Sequence, residues 1–178
     1  MGDVHGANKA LVQVLERANF DFENDTLIQL GDVADGWPEV AQAVDTLLKC
    51  KNLISIKGNH DDWFLEWMTK GEHPCGWLQG GEGTLSSYCK ALNKDFVPHM
   101  SGYTSNLLQI DIPQSHLDFF NNQKLYYRDH KNNIFVHGGF KRDEHLDYLE
   151  KFNDVDFYWN RDLWNAAMSC RGKDKLKL

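Results

Sequence analysis

Short apolar runs that stop at a glycine flanked by Asp, Asn or His constrain this chain more than any other feature. Thr26 to Leu30 stops at Gly31-Asp32, Leu53 to Ile56 runs into Lys57-Gly58-Asn59-His60, and Ile134 to Val136 ends at His137-Gly138-Gly139. A further cluster, Gly2-Asp3-Val4-His5-Gly6, opens the chain with only Met1 ahead of it. Helical periods fill the gaps: Leu11, Val14, Leu15 and Ala18 form one stripe, and Val40, Val44, Leu47 and Leu48 form another behind Pro38. Strands alternating with helices imply parallel pairing through crossovers, hence an α/β architecture. Open α/β sheets present ligands at the carboxyl ends of their strands, which is where these clusters fall. Glycine is needed there because the backbone must turn sharply and approach a ligand closely.

Asp, Asn and His supply mixed oxygen and nitrogen donors, a set that suits Mn, Fe or Zn better than Ca or a thiolate site. Asp3 and His5 are two residues apart, so both can face one side of an extended turn and chelate one ion. Asp32, at the next strand end, can bridge two ions that activate a hydroxide and neutralise phosphate oxygens.

The length, 178 residues, allows one domain with a substantial core, so a single catalytic unit over 1–178 is expected. Within it, 62–129 reads as a cap-like insertion, rich in Trp and Gly, with a helix around His116 to Asn121. Leu125 to Arg128 and Ile134 to Val136 then read as a hairpin or two consecutive strands. Nineteen basic residues against 26 acidic ones give a net charge of -7, which speaks against non-specific nucleic-acid binding because phosphate backbones need clustered cations. No long apolar run suggests a membrane span. Cys50, Cys75, Cys89 and Cys170 form no CxxC pair, and a reduced, cytoplasmic setting is expected.

The ordered clusters resemble the calcineurin-like metallophosphoesterase superfamily, and their wording is closest to its phage and bacterial phosphoprotein (Ser/Thr) phosphatase branch. The resemblance runs from residue 2 to about residue 164, and takes in Trp77, Gly80-Gly81, Thr84, Ser87-Tyr88 and Trp159-Asn160-Arg161. It implies an αββα sandwich of two mixed sheets flanked by helices, and two divalent metal ions, Mn first, with Fe, Zn or Mg as alternatives. By the same resemblance, Asp3, His5 and Asp32 would hold one ion, and Asp32, Asn59 and His137 the other. His60 would be the general acid that protonates the leaving oxygen, and Asp35 would orient it. Arg161 would clamp the substrate phosphate through its guanidinium fork, with Arg142 as a second candidate. The implied activity is hydrolysis of phosphomonoesters, in proteins or small molecules.

Two departures qualify the match. The final metal ligand of the family, a His in a Gly-His pair on a late strand, has no counterpart; His145 lies in Asp143-Glu144-His145-Leu146-Asp147 and reads as a solvated helix face. With only Met1 before the first cluster, a chain cut at both ends is expected. At Gly36, phosphoprotein phosphatases carry an Arg, and Trp37 follows, read as packing under the cap more readily than stacking on a substrate. Dinucleoside polyphosphate or phosphodiester hydrolysis, and a catalytically weak metal-binding module, are the competing functions. His73, His99, His116 and His130 read as surface or structural residues, Gly80 to Thr84 as a tight turn, and Trp63, Phe64, Trp67 and Met68 as packing.

Overall fold

The computed structural model describes residues 1–74, 77, 79–141 and 143–169. Arg142, Cys75, Cys170 and the lysines of the basic tail lie outside the described residues. The order of elements is α1 (Asn8–Arg17), β1 (Thr26–Gln29), α2 (Val40–Leu48), β2 (Asn52–Ser55), α3 (Asn59–Lys70), α4 (Gly81–Ala91), β3 (Phe96–His99), β4 (Gly102–Ser105), α5 (Gln114–Asn121), β5 (Tyr126–Arg128), β6 (Ile134–Val136), α6 (Leu146–Phe152), α7 (Asp156–Trp159) and α8 (Asp162–Ser169). The class is mixed α/β. Among the described residues the strands form three two-stranded ladders, β1 with β2, β3 with β4, and β5 with β6, in place of the two mixed sheets expected.

β1 and β2 pair in parallel, Thr26 opposite Asn52 and Gln29 opposite Ser55, joined by α2 as the crossover. A parallel bridge between Ile56 and Lys124 continues this edge toward the antiparallel β5–β6 pair. The first residues run beside β1 on hydrogen bonds from Leu30 N–H to Met1 O and from Val4 and His5 N–H to Asp32 O. Met1 to His5 thus lie along the end of β1 and deliver the first cluster to the same edge as the others.

Apolar spacing explains the helices, with one adjustment. In α1 only Leu11 and Leu15 are buried, while Val14 is half exposed, so the stripe facing the core is narrower than its sequence period suggests. α1 ends in a Schellman turn with Asn19 left-handed, Phe20 N–H reaching Leu15 O. α2 buries Val40, Val44 and Leu47. Residues 62–129 contribute Phe64, Trp67, Trp77, Leu85, Tyr88 and Phe120 to the core that also holds Leu11, Val40 and Val44. A smaller cluster, Leu146, Leu149, Phe157 and Tyr158, lies against β5 and β6.

Three local readings are corrected. Gly81 to Thr84 are helical, opening α4, because Thr84 is tied to Asp35 from within that first turn. His145 stands at the N-cap of α6, exposed, and accepts from Asp147 N–H. Trp37 is 66% exposed and is not packed under neighbouring segments. His116, by contrast, is a satisfied buried group: its Nδ1 meets Tyr88 Oη at 2.8 Å and its Nε2 meets Asp45 Oδ1 at 3.0 Å, joining α5, α4 and α2. Cys50 and Cys89 are buried free thiols. No helix among the described residues is long and apolar enough to cross a membrane.

Candidate metal centre

Asp32 sits just past β1, buried, with its backbone at φ 55°; His5 and Asp35 share that left-handed conformation at 45° and 69°. Short polar residues are the non-glycine types that tolerate it, and here it is held by the two amides that donate to Asp32 O. Gly58 leaves the room Asp32 requires: a Cβ there would lie 2.1 Å from Asp32 Oδ1.

The Asp32 carboxylate lies between two imidazoles. Its Oδ2 is 3.6 Å from His5 Nε2 and 3.5 Å from His137 Nε2, while its Oδ1 accepts the backbone N–H of His60 at 3.1 Å. Each imidazole is oriented through its other nitrogen. His5 Nδ1 donates to Ala34 O at 3.0 Å, and His137 Nδ1 donates to Leu30 O at 2.8 Å. This leaves both Nε2 atoms facing Asp32, the positions from which imidazoles ligate a metal. Asn59 Oδ1 approaches His137 Nε2 at 3.2 Å. Imidazole nitrogens, an amide oxygen and a carboxylate thus converge, a donor set that fits divalent metal ions.

Among the described residues, the donors that meet within 4.8 Å of one another form two triples, His5–Asp32–His60 and Asp3–Asp32–His137. Asp32 is common to both. Asp3 Oδ1 lies 4.0 Å from His137 Nδ1. The bond to Ala34 O holds the His5 ring beside His60, ring centroids 4.8 Å apart.

His60 begins α3, half-buried. Its Nδ1 donates to Asp35 Oδ2 at 2.7 Å. Burial pulls the His60 pKa down, but the hydrogen bond to Asp35 and the charges of Asp32, Asp35 and Asp61 more than offset it, and the net direction is upward. Asp35, fully buried, is held on its other oxygen by Trp77 Nε1 at 2.8 Å and Thr84 Oγ1 at 2.6 Å. Arg161 lines a cavity of about 280 Å³ with Asp3, Asp32, His137, Gly138 and Trp164, and its Nη1 donates to Asn160 O at 3.2 Å.

Asp61, next to His60 in the chain, is a support of the site that the sequence reading gave no role. It is fully buried and accepts from Val33, Ala34 and Gly58 N–H and from Gln123 Nε2, at 2.8, 2.9, 3.1 and 2.8 Å. It thereby ties the loop after β1 to the loop after β2. Burial and the neighbouring Asp32 raise its pKa against those donors. Its signal was available: an acidic residue three positions after Gly58 is placed to reach back to the start of the helix. Gln29 is a second such support, its side-chain amide bonding both N–H and O of Gly31. Asp61→Ala is expected to destabilise the fold by about 3 kcal/mol, since it strands three buried N–H groups. Urea unfolding checks this, and an unchanged midpoint would contradict the assigned role.

An α/β chain with two histidine–carboxylate triples sharing one aspartate at the strand ends belongs to the class of candidate dinuclear metal-site proteins. The sequence model described as calcineurin-like phosphoesterase matches residues 1–177, and the chain belongs to that family. It is also similar to the serine/threonine-protein phosphatase 1 of Salmonella typhimurium (strain LT2), with 27% identity over 82 residues. That match takes in 46% of this chain and 38% of the relative's length.

Proposed function

We propose that residues 1–178 act as a single catalytic unit for metal-dependent hydrolysis of phosphomonoesters, of the Ser/Thr protein phosphatase kind. One observation carries the reading: the Asp32 carboxylate lies 3.6 and 3.5 Å from the Nε2 atoms of two imidazoles, beside an Asp35–His60 pair at 2.7 Å. His5, Asp32 and Asp3 on one side, and Asp32, Asn59 and His137 on the other, would hold two divalent ions, Mn in the first instance. Bound there, such ions supply positive charge to phosphoryl oxygens and lower the pKa of a water.

The chain's own residues do the rest. Asp35 engages His60 through Nδ1, so the proton available for the leaving oxygen is the one on Nε2. Trp77 and Thr84 fix Asp35 and thereby the ring. Arg161, at the rim of the Asp3–His137 cavity, has a guanidinium within reach of a bound phosphate. The phosphatase named above supports a phosphoprotein substrate, and Gly36 in place of an arginine reduces the number of fixed phosphate contacts.

The test is direct. Chelator-stripped protein should hydrolyse p-nitrophenyl phosphate and a phosphoserine peptide only after a divalent ion is restored, Mn giving the highest rate. Inert protein with each of Mn, Fe, Zn and Mg would overturn the proposal.

A further inference from the structure

The cavity that holds the metal donors has a floor and a mouth of different character. The Asp32 carboxylate and the His137 imidazole, both buried, form its floor. Arg161 and Trp164, both exposed, form its mouth, with Asp3 beside them. Among the described residues that line it, Trp164 alone has an apolar side chain, and it is 62% exposed.

The chain around Trp164 fixes its place. Asn160 Oδ1 accepts the N–H of Asp162 at 2.8 Å and Arg161 O accepts that of Asn165 at 2.9 Å, so α8 starts as a closed turn directly behind Arg161. Gly138 lets this turn lie against the loop of His137, since a Cβ there would be 2.7 Å from Arg161 Nη1. Three positions apart, Arg161 and Trp164 are neighbours on one side of the turn. Among the described residues, the cations that lie over rings are Lys124 on Tyr127 and Lys151 on Phe152, so Arg161 does not cover the indole. Met168, one turn further along α8, is as exposed as Trp164 and continues the apolar stripe outward.

A phosphate held on the floor and by Arg161 leaves Trp164 to meet whatever the phosphate is attached to. The donor atoms of each metal triple lie within 4.8 Å of one another and both triples contain Asp32, whereas successive residues of a peptide are about 3.8 Å apart. A phosphoserine whose leaving oxygen faces His60 therefore has its neighbouring residue within reach of the mouth. Trp164 and Met168 offer that neighbour apolar area and a flat aromatic face without charge. Resting on the phosphatase reading above, we propose that Trp164 determines substrate preference by packing its indole against an aromatic side chain next to the phosphorylated residue.

The experiment compares two phosphoserine peptides that differ only in having Phe or Gly on both sides of the phosphoserine, on Mn-loaded wild-type protein, Trp164→Ala and Trp164→Phe. Wild-type protein should favour the Phe peptide in kcat/KM, and the difference should lie in KM. Trp164→Ala should reduce that preference about ten-fold, and Trp164→Phe should keep most of it. Independently of turnover, the Trp164 indole N–H resonance of Zn-loaded protein, identified by its loss in Trp164→Phe, should move with a non-hydrolysable phosphonate analogue of the Phe peptide and move less with that of the Gly peptide. No preference in wild-type protein, a preference unchanged in Trp164→Ala, or a resonance that responds equally to the two analogues each overturn the assignment. Wild-type protein active on p-nitrophenyl phosphate but on neither peptide overturns it as well. Wild-type protein inert toward all three esters overturns instead the hydrolase reading on which it rests.

Discussion

Asp32→Asn is expected to lower turnover of p-nitrophenyl phosphate by about 10³-fold, equivalent to about 4 kcal/mol of lost stabilisation. The substitution keeps the size of the side chain and a residue type that accepts the left-handed backbone at φ 55°. What it removes is the charge shared between His5 and His137, whose Nε2 atoms face Oδ2 at 3.6 and 3.5 Å. An amide nitrogen in that position would turn a donor toward a lone pair and fill the cation's place. Metal content per chain should fall together with activity, while the urea midpoint moves little. A variant that keeps two bound ions and wild-type turnover would show that Asp32 is not the common ligand.

His60→Asn should reduce hydrolysis of a phosphoserine peptide by about 10²- to 10⁴-fold, the range for a lost general acid. The effect on p-nitrophenyl phosphate should be smaller, because that leaving group departs without a proton. Equal losses on the two substrates would argue that His60 acts through binding or positioning alone. The pH dependence follows from Asp35. The raised pKa of His60 keeps its proton to higher pH, and a general acid loses rate as pH rises through its pKa. Asp35→Asn removes both the charge and the strong acceptor, so the alkaline limb of the kcat profile should move to lower pH. Cations in the centre act on His60 in wild type and variant alike, so the difference between profiles isolates Asp35. A limb that stays in place would detach Asp35 from the proton.

Much of the local structure was legible. Thr26 to Leu30 and Leu53 to Ile56 read as strands because short apolar runs halted by Gly have few other uses, and both pair in parallel within a residue of the expected bounds. The hairpin of Tyr126–Arg128 and Ile134–Val136 also follows from its runs and the Asn-rich turn between them. The supports of the site were less legible. Trp77 and Thr84 lie 42 and 49 residues from the Asp35 carboxylate they hold, and Gln123 lies 62 from Asp61. Spacing along a chain carries no information about such pairs. Trp37, read as packing under the cap, stands exposed for a related reason: its backbone is seated by His5 and Gly6, which are distant in the chain.

The sequence by itself determined the kinds of groups at the strand ends and their order: carboxylate, imidazole and amide, each next to a glycine. Those are consequences of short-range rules, apolar runs, turn residues and helical periods, which act over a few positions. Which group meets which was decided only by the tertiary structure. The Asp32 carboxylate lies between His5 and His137 because the β1–β2 ladder, the bridge to Lys124 and the β5–β6 hairpin bring three distant loops to one edge. Asp3 Oδ1 comes within 4.0 Å of His137 Nδ1, and the bond to Ala34 O sets the orientation of the His5 ring. Partners of that kind are fixed by packing and by buried polar groups finding acceptors, and both depend on the whole fold.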